Sequence, residues 1–441
     1  MFQKIGIFLR QRDSLTIVLI CLILAANIAR VWNIWIYSPI DHLFSDPARH
    51  WLYTQKPAGS DLFSSIDPIF YQIWLNFVAQ ITLKNELAVN IYTSLLSLST
   101  PFIWYLLLKE INPGKEKLNL VGWLILSLSP SWLEIYSYFM TETVFLPLFG
   151  LSLYLTIKHN NQNKISYSNW GGIILIWLFT VLTRFVAAPF ALLSVAYLIY
   201  RKPGKAKLIL QTILIGLIIL VPIGFRNYQI VNVFAPFGYG AMNQIYAQSG
   251  KQAIRMEVVD GEKGVGSWEF GSPSLYTSKP PLWPISDWRS SRNEDLKDAN
   301  IVEIKIDLNH GNADWNNYLD ATKPDLAKYS SLVSENILFF YFGESWPDSN
   351  SEHLFGNLNY LTRWVWPLLF MLSLIGNLLY LKSFKNLSFF ACITSICSIM
   401  VIFTLSAVME GRYRKPFEGL WLLNAIWLLA QIRRRQPQLT S

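Results

Sequence analysis

The chain has 441 residues, 52% of them hydrophobic and only 15% charged, with a mean hydropathy of +0.29. That balance excludes an ordinary soluble protein of this size and favours a polytopic membrane protein, because apolar segments of about 20 residues, each able to cross a ~30 Å hydrocarbon layer, recur along it. The formal charge of +8 does not indicate a nucleic-acid partner: most Lys and Arg fall in short links between apolar segments, and no basic stripe interleaved with exposed aromatics occurs.

Lys4, Arg10 and Arg12 precede the first apolar segment, Ser14 to Tyr37, and place the N-terminus inside. The segment is too long for a cleavable signal and is aromatic at its outer end, so it reads as a true span. Residues 38–83 then form an outer loop carrying Asp41 and Asp46. Within it Ile66, Ile69, Phe70, Ile73, Trp74, Phe77, Val78 and Ile81 recur at helical spacing, which predicts a helix lying in the outer interface or, alternatively, a short buried helix.

Further spans are expected at about Leu87–Leu108, Leu118–Ile135 and Glu142–Ile157. The run Trp170 to Tyr200 is too long for one crossing, so Thr183-Arg184-Phe185 is expected to be the outer turn between two. A seventh span, about Leu208–Phe225, leads to an extracytoplasmic insert over residues 226–360, where Gly, Pro, Asn and Ser dominate. Its apolar run Ile337–Phe342 is expected to rest on the membrane. Spans at about Trp364–Leu381, Phe389–Val408 and Phe417–Ile432 complete an all-α array of about ten crossings with both termini inside. The organisation is thus an N-terminal membrane module, 1–225, the insert, and a C-terminal membrane module, 361–441. Cys21, Cys392 and Cys397 all fall in expected spans and suggest neither disulfides nor a thiolate metal site.

Ionisable residues gather where the outer ends of these spans meet the membrane: Asp41, Asp46, Arg49 and His50, then Glu134, Glu142, Arg184 and Arg226, and finally Glu410, Arg412, Arg414 and Lys415. A positive-inside bias would deplete the outer side of arginine. Outer arginines converging on a cleft can instead clamp a phosphate, and a nearby carboxylate can act as a base. In the insert, Trp268, Trp283, Trp288 and Trp315 suit either sugar stacking or ordinary packing. His310, Asp314 and Asp307 are potential metal ligands within polar loop composition, and no metal or other cofactor is expected.

These residues carry a resemblance. Ser45-Asp46-Pro47-Ala48-Arg49-His50, Asp67-Pro68-Ile69-Phe70-Tyr71, Thr141-Glu142, Arg184, Arg226-Asn227-Tyr228 and Glu410-Gly411-Arg412-Tyr413-Arg414-Lys415-Pro416 occur in an order that resembles the integral-membrane glycosyltransferases of the GT-C superfamily. The similarity is to the bacterial branch related to protein O-mannosyltransferases and lipid A aminoarabinose transferases. The resemblance implies a GT-C fold in the bacterial inner membrane, probing its substrates from the periplasmic side. It also implies a polyprenyl-phosphate sugar donor, a hydroxyl acceptor on lipid, glycan or protein, and a monomer. Asp46 would be the catalytic base, with Asp41 as the other candidate, because the adjacent Asp-Glu of many relatives is replaced here by Asp46-Pro47. Arg49, His50, Glu142, Arg184, Arg226, Arg412, Tyr413 and Arg414 would contact or orient substrate. The competing readings are a transporter of lipid-linked sugars, which would favour paired helix breaks and duplicated halves, and a noncatalytic scaffold.

Overall fold

The structure, a computed structural model, describes residues 13–52, 54, 68–162, 164–231, 234–238, 253–260, 263–270, 301–307, 340–342, 345, 355–380 and 411–435. Helix α1 is Ser14–Ile36, started by the Asp13 carboxylate, which accepts from the Thr16 amide at 3.1 Å. It is built inside out relative to a soluble helix. Leu15, Val18, Leu22, Leu24, Ile28, Trp32 and Trp35 face outward, while Thr16, Arg30 and Asn33 are buried. An apolar exterior over a polar interior is stable only where the surroundings are themselves apolar.

Two short helices follow, α2 at Ser45–Leu52 and α3 at Ile69–Ile81. Helix α3 repeats the inversion, with Ile73, Phe77 and Ile81 exposed and Tyr71, Gln72 and Asn76 buried. Helix α4, Glu86–Ile111, packs against α1 and against α7, Glu142–Asn160. Helices α8, Tyr167–Thr183, and α9, Ala188–Arg201, meet at a 3₁₀ turn over Phe185–Ala187, with Arg184 at the corner the sequence marked. Helix α10 is Lys205–Val231.

The expected span Leu118–Ile135 is bent in the structure. Helix α5 covers Glu116–Leu128, and after a bend of 67° the chain resumes as α6, Pro130–Leu133, and a 3₁₀ turn at Glu134–Ser137. Pro130 causes the break by holding Ser129 extended, at φ −58° and ψ 114°. Among the described residues, three helices are long and apolar enough to cross a membrane: Ser14–Ile36, Glu86–Ile111 and Lys205–Gln229. The bent pair makes a fourth if it is one span.

The insert, whose fold the sequence left open, contains a β-sheet. Strands β1, Ala253–Asp260, β2, Lys263–Phe270, and β3, Ile301–Asp307, form a sheet in the order β2-β1-β3. The β1–β2 pair is antiparallel with an irregularity between Val258 and Val259, and β1–β3 is parallel. Trp268 lies on β2 and Asp307 ends β3, while Trp283, Trp288, Trp315, His310 and Asp314 lie outside the described residues. The expected ninth span, Phe389–Val408, and Glu410 lie outside them as well.

Helices α11, Gly356–Tyr380, and α12, Lys415–Arg435, pack on each other and on the N-terminal helices. The shared core holds Trp104, Trp132, Phe149, Trp177, Phe190, Phe417 and Trp421. Phe340 and Tyr341, expected to rest on the membrane, are buried in this core, ring against ring with Phe417 and Trp421. Two glycines admit Trp104: a Cβ at Gly150 or Gly419 would lie 2.5 Å from its ring.

Candidate functional site

The site is built where α7 begins. Pro147 inside α7 has no N–H and so leaves the Thr143 carbonyl without its helical donor. The Tyr136 hydroxyl donates to that carbonyl at 3.3 Å and shares a 2.5 Å hydrogen bond with Thr100. The first turn of α7 is thereby tied to α4 and to the break after α5. Glu142, fully buried, opens the helix and is ion-paired with Arg184 from the α8–α9 corner. The Arg184 guanidinium lies 5.1 Å from the Tyr413 ring centroid. Three side chains that are far apart in sequence and were expected to serve one site are therefore in direct contact.

The acidic stretch of the first loop forms a short helix. Asp46 sits in the first turn of α2, Arg49 and His50 in its last. Spacings of three and four residues put all three on one side of it. Asp46 and Arg49 pair at 3.4 Å, with about a quarter of the Asp46 side chain exposed (26%), so this carboxylate remains reachable. His50 is buried and meets Tyr71 of α3 edge to face at 5.0 Å. Tyr71 in turn hydrogen-bonds Thr143 and feels the Glu142 charge; burial drives its phenol well above the ordinary value, so it remains protonated at neutral pH. Trp51 stacks on Phe139 at 4.3 Å, closing the seam between α2 and the segment that leads into Glu142. A continuous run of contacts thus links the helix bearing Asp46 to Arg184 and Tyr413. A narrow crevice beside it is lined by Tyr71, Tyr92, Thr93, Tyr138 and Thr143.

Asp41 is exposed in the turn after α1, its amide donating to the Ser38 carbonyl. Arg226 is near the end of α10 and donates to the Asn227 side chain at 2.7 Å. Arg412 lies on the 3₁₀ turn Gly411–Arg414, and its side chain is outside the described residues. Arg414 is enclosed: it donates to Glu418 at 3.1 Å and to the carbonyls of Phe340 and Tyr341. Glu418 also accepts from Ser131, and Lys415 donates to the Ser131 carbonyl. These contacts tie the last helix to the break after α5.

Sequence reasoning missed Arg30. Fully buried in α1, it donates to Ser97 and to the carbonyls of Leu126, Ser127 and Trp132, at 2.6–3.5 Å. Its guanidinium satisfies the carbonyls orphaned where α5 stops. One turn on, Asn33 reaches Glu134 and Ser137, and Glu134 accepts from the Phe355 amide at 3.0 Å. The available signal was a lone arginine inside an otherwise apolar span. Among the described residues no group of three His, Cys, Asp or Glu side chains is placed to hold a metal.

Comparison with known proteins comes to the same segment. A family described as dolichyl-phosphate-mannose-protein mannosyltransferase matches residues 67–225. The match takes in Tyr71, Glu142 and Arg184 and stops one residue before Arg226. No curated protein matches the chain. The chain is therefore a largely helical membrane protein whose segment 67–225, in its N-terminal half, is similar to a glycosyltransferase-like family, a similarity that suggests a transferase-type function.

Proposed function

We propose that the protein is an inverting glycosyltransferase that moves a sugar from a polyprenyl-phosphate donor to a hydroxyl acceptor at the outer face of a bacterial inner membrane. The observation that carries this reading is the buried Glu142–Arg184 pair capped by Tyr413, inside the family-matched segment and joined through Tyr71 and His50 to the helix that presents Asp46. In the proposed step the acceptor oxygen attacks the anomeric carbon, its proton passes to Asp46, and the bond from that carbon to the phosphate oxygen breaks with its electron pair leaving on the phosphate. Arg184, with Arg226 and Arg412, stabilises the growing phosphate charge. Glu142 holds Arg184 in place. A phosphate leaves without prior protonation, so one carboxylate base suffices. The approximately ten-span topology with both termini inside, the monomeric state and the role of the insert as an acceptor cap belong to the same proposal.

The test is transfer of a labelled sugar from polyprenyl phosphate to acceptor by purified protein. Asp46→Asn is expected to remove about 10²–10⁴-fold of activity while donor binding is kept. Full activity in that variant would overturn the assignment of Asp46, and loss in Asp41→Asn instead would move the base to Asp41. A carrier of lipid-linked sugars is favoured by one observation, the broken helix at Ser129–Pro130 with Arg30 buried against it. Flipping of labelled lipid without sugar transfer would establish that reading.

A further inference from the structure

The end of the bundle opposite the Glu142–Arg184 pair holds a second polar cavity. Helix α7 runs from Glu142 to Asn160 and α9 from just past Arg184 to Arg201, so their far ends lie about 20–27 Å from the site at 1.5 Å per residue. There a cavity of about 360 Å³ is lined by Asn160, Gln162, Tyr200, Arg201, Lys202 and Lys205.

Three features of its wall point to one ligand chemistry. Lys202 is buried and donates to the carbonyls of Asn160 and Gln162. Its charge neutralises the carbonyl end of α7, which would otherwise repel an anion. Burial first, and Arg201 second, hold the Lys202 ammonium below its ordinary range, a cost that a bound anion would relieve. Arg201 is exposed, and the Lys205 ammonium lies 5.2 Å from the Tyr200 ring centroid, so two further cations border the opening. Asn160 is buried in the wall, and both ends of its side-chain amide lack a hydrogen-bond partner. A buried amide left unmatched is destabilising, and a ligand that offers an acceptor and a donor would relieve it.

We infer that this cavity binds a phosphate ester bearing a hydroxyl group, its phosphate held by Arg201 and Lys205 and its polar atoms matched to the Asn160 amide. The chemistry is that of a phosphoglycerol group, presented by an anionic lipid or by a soluble glycerol phosphate. This inference does not rest on the proposed transferase reaction, and neither Asn160 nor the basic residues belong to that site.

The experiment is titration of the purified full-length protein in detergent, read by native mass spectrometry, with dioleoylphosphatidylglycerol, dioleoylphosphatidylcholine and sn-glycerol 3-phosphate as separate probes. Wild type is expected to retain one phosphatidylglycerol or one glycerol 3-phosphate in preference to phosphatidylcholine. Arg201→Gln and Lys205→Gln are each expected to weaken that binding about tenfold, as loss of one charge-assisted contact does. Arg201 is exposed, so its variant tests the site without disturbing the fold. Asn160→Leu is expected to weaken retention of phosphatidylglycerol and glycerol 3-phosphate without abolishing it, because Arg201 and Lys205 still hold the phosphate. Retention of the lipid alone identifies a headgroup site, and retention of glycerol 3-phosphate identifies a soluble ligand. Equal binding of all probes, binding of none, or unchanged affinity in Arg201→Gln and Lys205→Gln overturns the inference.

Discussion

Helices α7 and α10 look alike in the sequence, both long and apolar with an internal proline, yet they occupy opposite environments. The apolar stretch of α10 is only 11% buried, with Leu210, Leu214, Leu217 and Ile218 facing outward. Helix α7 is mostly enclosed, with a partly covered stripe at Leu148, Leu151 and Leu155, and its polar residues Glu142, Thr143, Ser152, Thr156 and Asn160 are all buried. In a helix facing lipid, polar groups are confined to the ends, whereas an enclosed helix carries them wherever a neighbouring helix supplies a partner. Ser152 meets Thr180 at 2.9 Å and Thr156 receives the Trp177 indole at 3.0 Å. Both the proposed reaction site and the basic cavity sit at ends of the enclosed helix.

The contrast can be broken most severely at Glu142. Glu142→Ala leaves the Arg184 charge without its buried partner and is expected to cost about 3–5 kcal/mol in thermal or denaturant unfolding. Pairing Glu142→Leu with Arg184→Met is expected to recover most of that stability but none of the transfer activity, which would show that the pair serves chemistry rather than folding. Gly150→Ala, also on α7, places a methyl against the Trp104 ring and is expected to cost about 1–3 kcal/mol by the same measurement. On α10 the outcome should be nearly silent: Ile218→Ala is expected to change stability by under about 0.5 kcal/mol. A loss there as large as at Gly150 would mean that another protein surface, rather than lipid, covers α10.

The smallest effect is expected at the Asp13–Lys117 pair, 3.1 Å apart and exposed. The hydrogen bond from Lys117, followed by that from the Thr16 amide, holds the Asp13 carboxyl below its ordinary 3.8. A carboxyl lowered in the folded state contributes stability that is present above 3.8 and disappears as pH falls through the lowered value. Lys117→Gln should therefore reduce the melting temperature slightly at neutral pH and not at all in acid.

Hydropathy alone located the long apolar helices Ser14–Ile36, Glu86–Ile111 and Lys205–Val231, and charge together with length located the corner at Arg184, because Trp170 to Tyr200 is too long for one crossing. Glu142 was visible as a charge at the start of its span. The inward and outward faces were not visible. A lipid-facing isoleucine such as Ile218 and a core phenylalanine such as Phe149 score alike, since both leave water for apolar surroundings. Only the packed helices decided that Arg184 belongs to Glu142 and Tyr413, that Arg414 belongs to Glu418, and that Arg30 splints the break made by Pro130. Composition along a chain sets which segments leave water, but the partner of a buried charge is fixed by three-dimensional distance, to which sequence separation is indifferent.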